Sequence, residues 1–262
     1  MKISILTPSY NAAACIERAI LSVVAQDYAD WEHVVIDGGS TDGTLEVLGR
    51  YPHVKWISEP DKGIYDAMNK GIARAQGDWI YFLGADDYLL DERVLSGVAA
   101  QALRQGAGAI YGNVISPRFG GRYRGEFSYT DLLRRNICHQ SIFLHRTVFE
   151  KVGGFNLRYA ILADWDHNIR WFSDPSIKRQ YIALDVAQYA DGGFSSRNND
   201  PLFVKERGWI VLVRGRHFLD PYVGMGLAKQ ETLGALSRFR LVRALRAMGL
   251  YVFFRIQSRR HA

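Results

Sequence analysis

From Ile3 onward the chain alternates short β-rich apolar runs with longer helical patterns, and this alternation constrains the fold more than any other feature of the sequence. Ile3 to Thr7, His33 to Ile36, Val54 to Ile57, Trp79 to Leu83 and Ala109 to Val114 read as buried strands. Between them Ala13 to Ala25, Thr44 to Arg50, about Tyr65 to Ala75 and about Glu92 to Arg104 read as helices. Strand, helix, strand in repetition predicts an α/β protein with a mostly parallel central sheet covered on both faces. Ligands of such sheets bind at the carboxyl ends of the strands. Polar and glycine-rich clusters stand at those places: Pro8-Ser9-Tyr10-Asn11, Asp37 to Gly43, Glu59-Pro60-Asp61-Lys62-Gly63 and Gly84-Ala85-Asp86-Asp87.

Beyond residue 115 the pattern breaks into shorter pieces, among them Gly120-Gly121, the apolar run Ser141 to Leu144 and Gly153-Gly154-Phe155, so an α+β part is expected there. Asp200-Pro201 and Asp220-Pro221 each place a capping residue before a proline suited to a first helical turn. A helical C-terminal extension follows from them. The expected organisation is 1-199 as the main domain, divided at about 115 and 116, and 200-262 as the extension.

Charge separates the same two parts. The 262 residues carry a formal net charge of +6, yet no acidic residue follows Glu231, while Arg238, Arg240, Arg243, Arg246, Arg255, Arg259 and Arg260 all do. The rest of the chain is nearly neutral. Leu236, Phe239, Val242 and Leu245 are spaced for one helical face, with Arg240, Arg243 and Arg246 as an adjacent stripe. Such a helix suits contact with an anionic membrane, and equally a helix packed on the domain with a solvated basic edge. Cys15 and Cys138 are the only cysteines, so neither a disulfide framework nor a structural zinc site is supported. The N-terminus lacks a signal-peptide pattern, and the run Ala247 to Phe254 is too short to span a membrane, so a cytoplasmic protein, peripheral on the membrane at most, is expected.

Two segments carry chemistry. Asp37 ends a strand and is followed by glycines, hydroxyls and Asp42, an arrangement that lets backbone approach a ligand and a carboxylate accept hydrogen bonds from a base or ribose. It would serve equally as a polar turn with a helix cap. Asp86 and Asp87 follow a buried strand, and two adjacent carboxylates repel unless a cation, donors or solvent compensate them. Mg²⁺ or Mn²⁺ binds through one or two carboxylates plus substrate phosphates, which suits so sparse a site, although a solvated turn capping the next helix has the same sequence. His139, beside the run Ser141 to Leu144, reads either as a phosphate or acceptor contact or as a structural histidine.

Taken together, the segments resemble the inverting glycosyltransferases of family 2, which have the Rossmann-like GT-A fold, over roughly Lys2 to Gly193. The carriers are Ile5 to Asn11, Asp37 to Thr44, Gly63 to Ile72, Asp86-Asp87, and Gly153-Gly154-Phe155 followed by Asp164-Trp165-Asp166. The resemblance implies a nucleotide pocket from Thr7, Pro8, Tyr10 and Asp37, closed by Asp61 or Lys62. Asp86 would contact ribose or metal, and Asp87 would be the main ligand of Mn²⁺ or Mg²⁺. His139, Gly154, Phe155, Trp165 and Asp166 would lie on the acceptor or phosphate side, with Phe155 to Ala160 and Gly192-Gly193 near the acceptor.

The implied general base is Asp164, with Asp166 its competitor. On a helix the two point about 200° apart, so only one can face the cleft. Gly84 and Ala163 stand where many relatives have Asp and Glu, leaving fewer carboxylates than usual. The Gln-x-x-Arg-Trp signature of processive synthases is absent, which implies transfer of one sugar from a nucleotide-diphosphate sugar to a glycan or lipid-linked saccharide in envelope polysaccharide synthesis. Two other readings share these acids: a nucleotidyltransferase, which would need a basic loop after the first strand, and a non-catalytic binding protein. No nucleic-acid partner is expected.

Overall fold

The computed structural model describes residues 1–123, 125–190, 199–215, 217–238 and 240–259. Four strands build the first half of the sheet: β1 (Ile3–Ser9), β2 (Trp31–Asp37), β3 (Val54–Ser58) and β4 (Trp79–Phe82). They run parallel in the order β3-β2-β1-β4, each connection passing through a helix: α1 (Ile16–Val24), α2 (Thr44–Gly49) and α3 (Ile64–Arg74). The register sets Ser9 beside Asp37 and Asp37 beside Ser58, so three polar side chains end their strands in one row.

Alternation along each strand divides the core between the two faces. Leu6, Ile36, Ile80 and Phe82 pack with Tyr65 and Met68 of α3, whereas Ile3, Ile5, Trp79 and Tyr81 pack with Ala19 and Val23 of α1. Strands buried on both faces read as continuous apolar runs, and that is why the sequence located them.

The sheet continues in mixed sense through β5 (Tyr88–Leu89), β6 (Ala109–Ser116), β7 (Gly121–Tyr123), β8 (Ile142–His145) and β9 (Arg179–Gln188). Its full order is β3-β2-β1-β4-β8-β6-β9-β5, with β7 on β6. β8 joins β4 antiparallel and β6 lies parallel to β9. Helices α4 (Val94–Gln105), α5 (Arg146–Val152) and α6 (Ala163–Phe172) complete this part.

Three helices form the extension: α7 (Pro201–Arg214), α8 (Pro221–Leu236) and α9 (Leu241–Ser258). Both Asp-Pro pairs open helices as the sequence predicts, with Asp200 accepting from Phe203 N–H at 3.0 Å and Asp220 from Tyr222 N–H at 2.9 Å. Asp200 also accepts from Ile161 and Leu162 N–H at 3.1 and 3.3 Å, tying the start of α7 to the segment that enters α6. α7 packs on α6, α8 on α7 and α9 on α8. A Cβ on Gly224 would meet the Phe254 ring at 2.4 Å, so α8 and α9 approach closely there.

The expected amphipathic face from Leu236 to Leu245 is not continuous. α8 ends at Leu236 and α9 begins only at Leu241, so the two halves of that face lie on different helices. Phe239, Arg260 and the Gly192-Gly193 pair fall outside the described residues. Among the described residues no helix is long and apolar enough to cross a membrane.

Candidate active site

The loops that follow β1 to β4 meet along one edge of the sheet. Asp37 is fully buried there, and its carboxylate accepts from Gly39 N–H at 3.0 Å, Ser40 N–H at 2.8 Å and the hydroxyls of Ser58 at 2.7 Å, Ser9 at 3.3 Å and Ser40. Burial by itself raises its pKa, but the donors from Ser40, Ser58 and Gly39 outweigh it and hold the carboxyl below the usual range. In this structure Asp37 clamps its own loop.

The Thr7 side chain also turns inward. It is fully buried, and its hydroxyl lies 2.9 Å from His33 Nε2. Burial pushes His33 down to about 3, so the ring is neutral and this pair is part of the core. Thr7, expected in the nucleotide pocket, thus turns its side chain into the protein, as alternation along β1 dictates. Pro8 is buried in the same strand, while Tyr10 beyond it is 67% exposed.

Tyr10 belongs to a second grouping. A Cβ on Gly38 would fall 2.6 Å from Asp61 Oδ2 and 3.4 Å from the Tyr10 ring, so the absence of a side chain at 38 lets both close over that point. Asp61 is held by Gly63 N–H at 2.8 Å, and the loop is pinned by Lys70, which donates to the Pro60 carbonyl at 2.8 Å. Lys62 is exposed, with its N–H donating to Asp66 at 3.0 Å.

Asp86 and Asp87 differ in exposure. Asp86 is half-buried and its backbone carbonyl accepts from Arg18 at 2.7 Å. Asp87 is 1% exposed, with Gln140 donating to Oδ2 at 2.8 Å and Ala190 N–H to Oδ1 at 2.7 Å. Burial first, and the neighbouring Asp86 charge second, push its carboxyl up to about 6 despite those two donors. A Cβ on Gly84 would sit 2.4 Å from Asp87 Oδ2 and 3.1 Å from Asp86 Oδ1, so the two carboxylates converge over a glycine that leaves the space open. Two converging hard oxygen donors fit Mn²⁺ or Mg²⁺, provided most of the coordination comes from substrate oxygens and water. No cluster of three acidic, histidine or cysteine ligands occurs among the described residues.

The same short segment that holds Asp87 also reaches Asp164. His139 Nδ1 lies 3.5 Å from Asp164 Oδ2. That oxygen also accepts from Asn136 Nδ2 at 2.9 Å, while Oδ1 accepts from the Tyr65 hydroxyl at 3.0 Å and from Trp165 N–H at 2.8 Å. Asn136 is itself positioned: its Oδ1 accepts from Asn168 at 2.9 Å, and Asn168 Oδ1 accepts from Trp171 Nε1 at 2.9 Å. Burial first, then the Asp164 charge, raises Tyr65 well above the ordinary tyrosine value, so it remains a donor.

Asp166 lies on the other side of α6. It is buried and pairs with Arg170 at 2.9 Å, and Arg170 in turn donates to the carbonyls of Val152 and Gly154. Through Arg170 this pair holds the exposed Gly153-Gly154 loop. Asp166, expected on the acceptor or phosphate side, makes its contact with Arg170 within the protein. Trp165, expected on the same side, is held within the protein: its indole N–H donates to the Leu132 carbonyl at 2.9 Å, its ring packs tilted against Phe203, and Arg207 lies over it. Phe155 is buried against Tyr65, Phe82 and His167, and Gly154 is where a Cβ would meet Asn69 Oδ1 at 2.4 Å. Asn69 holds both the N–H and the carbonyl of Phe155, at 2.8 and 3.0 Å, so this motif docks the second half of the chain onto α3.

Asn136, Gln140 and Tyr65 carry much of this geometry and were not singled out in the sequence. Gln140 follows His139 directly ahead of a buried strand, and that position is its one signal in the sequence. Asn136 gave none, because it reaches Asp164 from 28 residues away through an irregular segment.

Comparison with known proteins gives the family and the fold. Residues 4–156 match the model of glycosyl transferase family 2. The chain belongs to that family. It is similar to a PGL/p-HBAD biosynthesis glycosyltransferase of Mycobacterium bovis, with 42% identity over 228 residues that cover 80% of this chain and 89% of the relative. Among solved structures it superposes on S. aureus TarS 1-349 in complex with UDP-GlcNAc, with a TM-score of 0.71 and 16% identity over 97% of this chain and 81% of that one. The mannosyltransferase PcManGT from Pyrobaculum calidifontis, in complex with GDP-Man and Mn²⁺, gives a TM-score of 0.60 at 19% identity, covering 97% and 82%. The fold is GT-A, and this family 2 member is a glycosyltransferase.

Proposed function

We propose that the protein transfers one sugar, with inversion, from a nucleotide-diphosphate sugar to a hydroxyl of a glycan or lipid-linked saccharide in polysaccharide or glycolipid synthesis. The observation that carries this reading is the Cys138 to Gln140 segment, whose neighbouring side chains reach two carboxylates: His139 approaches Asp164 and Gln140 binds Asp87.

Asp164 is the base in this scheme. A sugar hydroxyl is a poor nucleophile at neutral pH, and a carboxylate fixed by Asn136 and Tyr65 removes its proton as it attacks the anomeric carbon opposite the leaving nucleotide. A single displacement of that geometry inverts the anomeric centre. Asp86 and Asp87 would hold Mn²⁺ or Mg²⁺ together with the diphosphate, and when bound the ion supplies charge neutralisation for the departing nucleotide. Tyr10 and Asp61 frame the base over Gly38, with Lys62 at the rim, and Asp37 keeps the loop between them in shape. His139 lies on the phosphate or acceptor side, and Phe155 packs against Tyr65, whose hydroxyl reaches Asp164. The named role of the mycobacterial relative in PGL/p-HBAD biosynthesis and the UDP-GlcNAc and GDP-Man of the structural neighbours support donor and acceptor classes of this kind. The place of action is the cytoplasmic face of the membrane that carries a lipid-linked acceptor.

Thermal shift across UDP, GDP, dTDP and CDP, each with Mn²⁺, Mg²⁺ or chelator, tests the donor half, because a ligand of the folded state raises stability with occupancy. The expected result is a metal-dependent rise with one nucleoside diphosphate that is lost in Asp87→Ala. Equal shifts with chelator present would refute the metal role. Turnover that survives Asp164→Asn would refute the base.

A further inference from the structure

Helix α9 inverts the usual relation between a surface helix and solvent. Its inward side is made of Ala244, Ala247 and Phe254, all buried against the extension. Its outward side should be polar. It carries instead Leu241, Val242, Leu245, Met248, Val252 and Ile256, each at least 50% exposed. At 100° per residue these six fall within an arc of about 120°, and only Gly249 lies among them. Arg255 borders the arc on one side and Arg246 on the other, both exposed. The stripe runs the length of an 18-residue helix, about 27 Å.

Charge decides what covers it. From residue 232 onward the chain has no acid, and Arg238, Arg240, Arg246, Arg255 and Arg259 are exposed and form no ion pair with a described residue. A second copy applying the same face would bring like charges together around the apolar stripe. An anionic lipid surface presents the opposite charge at the rim and an apolar phase beneath it. Near the start of α9, Trp209 of α7 with Arg240, Leu241, Val242, Arg243 and Arg246 lines a groove of about 530 Å³. Arg243 is fixed there by Glu231 at 2.6 Å and by the Trp209 ring at 4.9 Å. Arg240 and Arg246 are left to face an anion such as a headgroup phosphate.

We propose that the outward face of α9 is an interfacial docking surface for anionic phospholipid, its apolar stripe entering the headgroup boundary and its flanking arginines contacting lipid phosphate. This deepens the reading of a lipid-linked acceptor and rests on it for its purpose, while vesicle binding is measured without any turnover. The full-length protein is to be sedimented with phosphatidylcholine vesicles and with vesicles containing phosphatidylglycerol, at low and high salt. Strong binding is expected only with phosphatidylglycerol and at low salt. Arg246→Gln with Arg255→Gln should weaken it by about twenty-five-fold, at roughly fivefold per arginine. Leu245→Ser with Val252→Ser should weaken it by about tenfold or more.

All four positions are exposed, so the variants should keep the wild-type melting temperature, and their nucleotide-induced thermal shift reports separately on the transferase reading. The proposal is overturned if the wild type ignores phosphatidylglycerol or if both double variants sediment like the wild type. It is also overturned if the wild type is a dimer by size-exclusion chromatography and the serine variant a monomer, since a second copy would then cover the stripe.

Discussion

Gln140 donates its side-chain amide to the buried carboxylate of Asp87 at 2.8 Å, and only Ala190 N–H shares that task among the described residues. Asp87 is thus a negative charge enclosed with two donors and an acidic neighbour. Gln140→Ala should leave it underpaired and cost about 1–3 kcal/mol of stability, seen in urea denaturation. The same variant should give a smaller metal-dependent nucleotide shift, because Asp87 would no longer be held beside Asp86.

The two acids of α6 should separate cleanly by mutation. Asp164→Asn is expected to lower turnover by at least about a hundredfold with little change in melting temperature, as loss of a positioned base would. Asp166→Asn breaks a buried pair with Arg170 and should cost about 3–5 kcal/mol while any protein that remains folded keeps its base. Parallel kinetics and denaturation of the two variants check this; equal loss of activity at full stability in both would contradict it.

On the nucleotide side the contrast is between Thr7 and Tyr10. Thr7→Val should leave nucleotide affinity within about twofold while costing roughly 1–2 kcal/mol, because it strips a partner from buried His33. Tyr10→Ala should do the reverse, weakening nucleotide binding by roughly tenfold if the ring stacks on the base. Calorimetric titration with the nucleoside diphosphate that gives the thermal shift distinguishes them.

Glu32 supplies an acid-dependent contribution to stability far from the site. Burial opposes its ionisation, but Lys55, Ser4 and Gln76 N–H donate to it and lower the carboxyl from 4.5 to about 2. A carboxyl depressed in the folded state stabilises fully above its unfolded pKa, and that gain is lost as pH falls through the folded value. The contribution is about 3 kcal/mol, lost between about pH 4.5 and 2. Glu32→Gln should be less stable at neutral pH and show a flatter decline across that window in denaturation series.

The first half of the fold was legible because β1, β2 and β4 are buried on both faces and each strand from β1 to β4 is followed by its loop cluster. β9 was not, since Asp185 interrupts its apolar run, Arg179, Gln180 and Gln188 close it at both ends, and its partners lie far away in the chain. The acids of the site were visible as types: Asp86, Asp87 and Asp164 all lie where side chains from different elements meet. What the sequence hid was direction. Thr7 and Trp165 stand out by spacing, yet β1 alternation and the α6 contact with α7 turn their side chains inward. Asn136 and Tyr65 reach Asp164 only through tertiary folding: no local pattern marks Asn136, and the Gly63 to Ile72 motif that contains Tyr65 does not reveal its partner.

The double duty of Asp200 makes the extension and the main body inseparable. One oxygen caps α7, and the other holds the backbone just ahead of Asp164. A module exchange that cut the chain at this junction would carry away one of the struts beneath the proposed base.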